Sequence, residues 1–306
     1  MKQYYDIIGD IHGHADALIA LLQKLGYHNI DGVYRHDQHK VIFLGDFIDR
    51  GPQQRAVIDI VKPMIEQGVA LSVMGNHEFN AICYATHGVN GQLLRENSEK
   101  NTNQHKAFLD AYPLATERNQ IIDWFKTLPV YIETEGIRVI HASWNELALE
   151  VLAPMLDAKQ CLLSDAYDIC SEQSSDAYHA IETLLKGPEA SLPDGVSFKD
   201  KDGHTRHNAR IKWWVSSEEL VKNRLNLGND ITNLHDIELT QVDESHSYHA
   251  SYPPVFVGHY WHNGIPGPLS DNCACLDYSV AKNGKLVAYL WRGESILKES
   301  NFDWCR

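Results

Sequence analysis

Tyr4-Tyr5-Asp6-Ile7-Ile8-Gly9-Asp10-Ile11-His12-Gly13 sets the plan for the first part of the chain: a short β-rich run, then a glycine, then a polar cluster. The plan returns in Val41-Ile42-Phe43-Leu44-Gly45-Asp46-Phe47-Ile48-Asp49-Arg50-Gly51 and in Val69-Ala70-Leu71-Ser72-Val73-Met74-Gly75-Asn76-His77-Glu78. Between the first two, Leu18, Leu21, Leu22 and Leu25 fall on one helical face, and between the second and third so do Val57, Ile60, Val61 and Met64. Pro63 is expected to kink or end that second helix. Strand, helix, strand, helix, strand is the rhythm of an α/β domain, and residues 77–87 add a further helical stretch closed by Gly88.

Working outward, residues 90–106 are polar and poorly periodic and read as a loop or lid. Residues 121–128 read as a helix stopped by Pro129, and Val130–Glu133 and Ile137–Ile140 as two strands. Residues 147–156 and 177–185 read as amphipathic helices, and 187–207, rich in Gly, Pro, Asp and His, as a long irregular segment. Val255–Val257, Ala274–Val280 and Leu286–Trp291 return to strands. The expected organisation is one domain over 1–306, with 145–251 as a helical and irregular cap inserted into the α/β core.

Lys plus Arg number 27 and Asp plus Glu 41, a formal net charge of −14. That balance opposes non-specific binding to nucleic acid or to an anionic membrane, since both rest on clustered cations. No apolar run approaches the ~20 residues of a membrane span. None of the six cysteines forms a C-x-x-C pair, and the polar N-terminus does not read as a signal peptide. The expectation is a cytoplasmic protein with reduced thiols; Cys273 and Cys275, two apart on a strand, share a face of the core.

In α/β sheets, sites form beyond the carboxyl ends of the strands. Each of the three polar clusters stands at such an end, and two later strands also lead to histidine, at Ile140-His141 and at Val257-Gly258-His259. Asp10, His12, Asp46, Asn76, His141 and His259 make a mixed oxygen and nitrogen set. It suits Mn, Fe, Zn or Co, and neither calcium nor a thiolate site. Taken singly, Asp10 and Asp46 also read as turn residues, Asn76 as a helix cap, His141 and His259 as core histidines, and Asp49-Arg50 as a surface ion pair. Together and in order they read as a centre for two ions about 3.5–4 Å apart.

Asp10-x-His12, Gly45-Asp46-x-x-Asp49-Arg50, Gly75-Asn76-His77-Glu78, His141 and Gly258-His259 resemble the calcineurin-like metallophosphoesterases. They are most similar to the branch holding Ser/Thr protein phosphatases and bacterial diadenosine tetraphosphatases. Asp277-Tyr278-Ser279 resembles that family's C-terminal core. The resemblance implies a two-sheet core flanked by helices. It also implies that Asp10 and His12 hold a first metal, that Asp46 bridges, and that Asn76, His141 and His259 complete a second. His77, oriented by Asp49, would protonate the leaving group, and Arg50 would clamp phosphate oxygens. The implied activity is phosphoester hydrolysis by a hydroxide generated on the metal pair, with manganese the first expectation.

Two positions depart from the pattern. Where many phosphodiesterases and nucleases of the superfamily have Gly-His-x-His, this chain has Gly258-His259-Tyr260-Trp261, with His262 one residue late; Ser143 stands where glycine is common. The first departure weakens a nuclease reading and fits both remaining ones: a phosphomonoesterase acting on a phosphoprotein or small molecule, which is the leading expectation, and a dinucleoside-polyphosphate hydrolase as the alternative. A non-catalytic protein-binding scaffold is the rival of another class, and it would be expected to have lost ligands. The mixed stretch from Lys199 to Arg210 reads first as solvated loop; Arg206 and Arg210 are candidates to reach a substrate phosphate.

Overall fold

The computed structural model describes residues 3–134, 136–193, 195–199, 203–216, 219, 221–226 and 247–306. Two sheets face each other. In the first, Tyr4–Ile8 lies parallel to His39–Phe43, which lies parallel to Ala70–Ser72; on its other side Tyr4–Ile8 pairs antiparallel with Lys285–Trp291. Asp277–Tyr278 and Phe302–Cys305 both pair with Lys285–Trp291. In the second, Val255–Val257 lies parallel to both Ile137–Ile140 and Cys273–Cys275, and Tyr131–Thr134 closes the edge antiparallel to Ile137–Ile140.

The period of two along each strand explains the layering. Ile7, Ile42, Val139, Phe256, Ala274 and Tyr289 point into one apolar cluster between the sheets. Their neighbours Ile8, Val41, Phe43, Ile140, Val255, Val257, Cys273 and Cys275 point the other way, into a cluster shared with the helices. Strands buried on both faces must be apolar throughout, which is why they read as unbroken runs. The result is an α/β sandwich of two sheets flanked by helices.

On the outer face of the first sheet, Ala15–Lys24 buries Leu18, Leu21 and Leu22 as its spacing requires. Gln54–Glu66 contains Pro63 instead of ending there. Pro63 falls in the last turn, so few backbone bonds are at stake, and the Gln67 N–H still reaches the Pro63 carbonyl at 3.0 Å. Asn76–Ala85 follows the third strand directly.

The polar segment 90–106 is not a plain loop: it carries the helix Glu99–Gln104 and leads into Lys106–Ala111. Ser98 caps the first of these, and Arg95 ties Asn80, Asn101 and Gln104 together at 2.8–3.0 Å. Side-chain hydrogen bonds hold this segment, so no apolar period betrays it. Between Gly187 and His207 the chain forms short strands, among them Glu189–Ser191 and Phe198–Lys199. Among the described residues no helix is long and apolar enough to cross a membrane.

Candidate metal centre

Six strand ends converge on one place. Asp10 and His12 follow Tyr4–Ile8; Asp46, Asp49 and Arg50 follow His39–Phe43; Asn76 and His77 open the helix after Ala70–Ser72. His141 follows Ile137–Ile140, His259 follows Val255–Val257, and Asp277 follows Cys273–Cys275. All of these except Arg50 are buried. The turns are tight: His12, Asp46, Asp49, Arg50 and His259 all hold positive φ, conformations that non-glycine residues keep only where surrounding contacts enforce them. A Cβ on Gly258 would come within 2.0 Å of Asp10 Oδ1, and one on Gly75 within 2.3 Å of Asp46 Oδ1. Glycine at both positions leaves room for those carboxylates.

Asp46 is the centre. Its Oδ2 lies 3.5 Å from His12 Nε2, 3.5 Å from His141 Nε2 and 3.9 Å from His77 Nε2. Asn76 Oδ1 lies 3.1 Å from His141 Nε2 and 2.8 Å from His259 Nδ1. The far ring nitrogens are fixed by backbone: His12 Nδ1 donates to the Ile48 carbonyl at 2.9 Å and His141 Nδ1 to the Leu44 carbonyl at 2.6 Å. Those bonds fix each ring and turn its Nε2 toward Asp46. The His259 N–H donates to Asp10 Oδ2 at 3.1 Å.

A test of fit comes from the polar atoms that burial leaves without a hydrogen-bond partner. Asp10 Oδ1, His12 Nε2 and His259 Nε2 are three of them. An orphaned buried acceptor costs roughly 1–3 kcal/mol, and each of these sits on a residue of the mixed set. Two groups have ligand atoms all within 4.8 Å of one another: His12, Asp46 and His77, and Asp46, His141 and His259. Asp46 belongs to both, which makes two candidate metal sites sharing one carboxylate.

The electrostatics agree. Burial pushes Asp10 well above the usual carboxylate range, helped by the charges of Asp277 and Asp46. Burial also opposes the charge on Asp46, but the neighbouring His141, His77 and His12 outweigh it and hold the carboxyl well below its usual range. His12 is pushed down to about 3, chiefly by burial, and is therefore neutral at pH 7. Burial likewise lowers His259, with Arg210 adding to the effect. His141 is pushed up to about 10: burial opposes its charge, but Asp46 and Asp10 favour positive charge there.

Next to this cluster His77 Nδ1 donates to Asp49 Oδ2 at 2.6 Å. Burial opposes the charge on His77, but Asp46 and the bond to Asp49 prevail and raise it above the ordinary histidine value. The Arg50 guanidinium lies 4.2 Å over the Trp261 ring, at the mouth of the site. Arg210 is half-buried near Tyr260 and close to Glu189, whereas Arg206 is exposed on the hairpin with Phe198, outside the buried cluster. Residues 200–202 of the mixed-charge stretch lie outside the described residues. His262 is held away from the metal cluster, its N–H donating to the Asp277 carbonyl and its ring 5.8 Å from that of Tyr278.

Sequence reasoning missed four contributors. His105 Nδ1 donates to the same Asp49 oxygen as His77, at 2.8 Å. Glu78 accepts the backbone N–H groups of Asp46, Phe47 and Gly75, stitching two strand ends together; burial, with the charge of Asp46, pushes it up to about 7. Gln54 clasps the 49–51 turn through the Asp49 N–H and the Asp49 and Gly51 carbonyls. Asp277 accepts the Trp261 and Ser279 N–H groups and faces Asp10. Glu78 and Asp277 stand inside the sequence motifs, which was their signal; His105 and Gln54 had none.

The model of the calcineurin-like phosphoesterase family matches residues 5–186. The chain belongs to that family. The chain is similar to the asymmetrical bis(5'-nucleosyl)-tetraphosphatase PrpE of Oceanobacillus iheyensis, 32% identical over 138 residues, 45% of this chain and 54% of that protein. The PrpE tetraphosphatase of Bacillus subtilis is 49% identical over 74 residues, 24% of this chain and 30% of that protein. The chain thus spans about half or less of the length of these curated relatives. Among solved structures, the cold-active protein-tyrosine phosphatase of a psychrophilic Shewanella species shares the fold. Its TM-score is 0.50 at 16% identity, over 97% of this chain and 81% of that one. In a chain of the calcineurin-like phosphoesterase family the buried Asp and His cluster is a candidate metal centre.

Proposed function

We propose that the protein hydrolyses a phosphoester or phosphoanhydride at two divalent ions, held by Asp10, His12 and Asp46 on one side and by Asp46, Asn76, His141 and His259 on the other. The observation that carries this reading is Asp46 Oδ2, equidistant at 3.5 Å from His12 and His141, in a pocket with three orphaned ligand atoms. Ions bound there would supply Lewis acidity toward the phosphoryl oxygens and a nucleophile at neutral pH. Manganese is the proposed ion, with Fe, Zn or Co as alternatives suited to the same donors.

The protein's own part is orientation and proton transfer. Asp49, ionised, can only accept, so the Nδ1 of His77 carries a proton and Nε2 faces the site. The Nε2 proton passes to the departing oxygen, and the raised affinity of His77 for a proton keeps it available. Arg50, fixed over Trp261, presents its planar fork to the phosphate.

For the substrate, the names of the PrpE relatives favour a dinucleoside polyphosphate. A phosphomonoester is the second reading; Trp261, at the position of a further histidine, is compatible with both. We also propose that 145–251 is an insertion that shapes the substrate's surroundings. In support, the strands Glu189–Ser191, Asn208–Ile211 and Leu225–Asn226 form a separate sheet, with an apolar cluster of its own made by Leu192, Val196, Phe198, Ala209, Ile211 and Leu225. Residues 227–246 of that interval lie outside the described residues.

The test is turnover of an aryl phosphate and of diadenosine tetraphosphate by the Mn²⁺-loaded protein, beside Asp46→Asn and His77→Asn. Both variants should lose nearly all activity. Turnover like that of the unaltered protein in either one would refute the bridging role of Asp46 or the proton-donating role of His77. Full metal loading without hydrolysis of any phosphate compound would instead favour a binding scaffold.

A further inference from the structure

Two cavities flank the pair Arg50 and Trp261. The first, about 480 Å³, is lined by Arg50, His77, Asn103, Gln104 and Lys106. The general acid stands in its wall, so it is where the leaving side of a substrate lies. The second, about 620 Å³, is lined by Trp261, Asn263, Ser279, Lys282, Asn283 and Lys285, among others. Nothing in the proposed hydrolysis uses this second cavity.

Three observations join it to the site. Trp261 lines this cavity and stands beside the site: its ring centroid is 6.2 Å from that of His12, Arg50 lies on it, and Lys282 Nζ is 5.1 Å from its centre. The charge is local and reversed. In a chain of net charge −14 the cavity is lined by Lys282, Lys285 and Arg306, and no Asp or Glu is among its described lining residues. The backbone is held in unfavoured conformations there as at the metal cluster: Trp261, Ser279 and Asn283 have φ of 54°, 61° and 59°. Among the described residues ten non-glycine positions have positive φ; five belong to the metal cluster and its Asp49-Arg50 turn, and these three to the cavity. Such clustering marks built sites.

We propose that this second cavity binds a further phosphate group of the substrate, so that the substrate continues on both sides of the phosphorus attacked. This rests on the hydrolytic reading above and narrows it. A monoester carries one substituent and fills only the His77 cavity, whereas a phosphoanhydride joined to groups on both sides fills both. The substrate class is then a dinucleoside polyphosphate, with phosphate oxygens on Lys282 and Lys285. In the reaction a water oxygen bonds to phosphorus and the bridging P–O bond breaks. The proton of His77 goes to the departing phosphate oxygen, and the protons of the water are released to solvent and His77.

The experiment compares calorimetric binding of inorganic tripolyphosphate and orthophosphate to the metal-loaded full chain, and KM for diadenosine tetraphosphate and an aryl phosphate. The unaltered protein should bind tripolyphosphate at least about tenfold more tightly than orthophosphate, the equivalent of one good ionic contact. Lys282→Gln with Lys285→Gln should abolish that preference and raise the ratio of the two KM values by about tenfold or more. Lys285 Nζ also reaches the Gly264 carbonyl, so Lys282→Gln alone serves as the milder variant, and Lys282→Arg should restore the preference. Equal affinity for the two anions, or a preference untouched by the lysine changes, overturns the proposal. A lysine-dependent preference in a protein that hydrolyses nothing would leave the cavity standing and sink the hydrolytic reading.

Discussion

His105 Nδ1 donates to Asp49 Oδ2 at 2.8 Å from a helical junction 56 residues further along the chain. The acceptor is the same oxygen that holds His77 at 2.6 Å, and all three side chains are buried. An ionised carboxylate accepts only, so both histidines must carry a proton on Nδ1. His105 therefore helps to keep Asp49 ionised and aimed, and through it sets the ring of His77. The segment read as a lid is in this respect a wall of the site.

His105→Ala should lower kcat by about tenfold, less than the roughly 10²–10⁴-fold expected for His77→Asn, since it acts through Asp49 and not on the substrate. His105→Asn keeps an N–H near the position of Nδ1 and should recover most of the rate. Steady-state kinetics of the three variants checks this. Equal losses in His105→Ala and His105→Asn would mean that packing, not the hydrogen bond, is what His105 supplies.

Burial opposes the charge on Asp49, but the hydrogen bonds from His105 and His77 outweigh it and hold the carboxyl below its usual range. A group depressed in the folded state contributes stability that is present above its unfolded value near 3.9 and is lost as pH falls through the folded value. Urea midpoints at pH 7, 5 and 3 should therefore fall more steeply below pH 4 for the unaltered protein than for Asp49→Asn. Parallel curves would show that Asp49 does not carry the acid sensitivity.

Elemental analysis after reconstitution should find two divalent ions per chain, one held by Asp10, His12 and Asp46 and one by Asp46, Asn76, His141 and His259. Asp46→Ala should retain less than one. Metal at a free concentration of 100 times its Kd should stabilise the unaltered fold by about 2.7 kcal/mol for each ion bound, and a chelator should reverse the gain. A single ion per chain that survives Asp46→Ala would contradict the bridging role.

Gly258→Ala places a methyl group 2.0 Å from Asp10 Oδ1. Overpacking of this kind costs about 1–3 kcal/mol, and here the atom that must move is a proposed ligand. The variant should lose metal affinity before it loses its fold, seen as a normal circular dichroism spectrum with a weakened metal titration. Unchanged metal affinity would show that Asp10 Oδ1 has room to shift.

What the chain order carried by itself was the local part: short unbroken apolar runs closed by glycine and a polar cluster, and the leucine spacing of the first helix. These follow from the pleat, the helical turn and the backbone freedom of glycine, and each is settled within about ten residues. They were enough to find the Asp10, Asp46 and His77 blocks. Only the folded chain decided that His105 and His77 share one oxygen of Asp49, that Asp277 faces Asp10, that Pro63 is tolerated within a last helical turn, and that Arg50 and Trp261, one on the other, each line a different cavity. Those pairings join residues far apart in sequence through side-chain hydrogen bonds and ring contacts, which leave no period behind. They exist because the packing of two sheets and their helices brings six strand ends to one point, and the chain on either side of each end is held where that packing puts it.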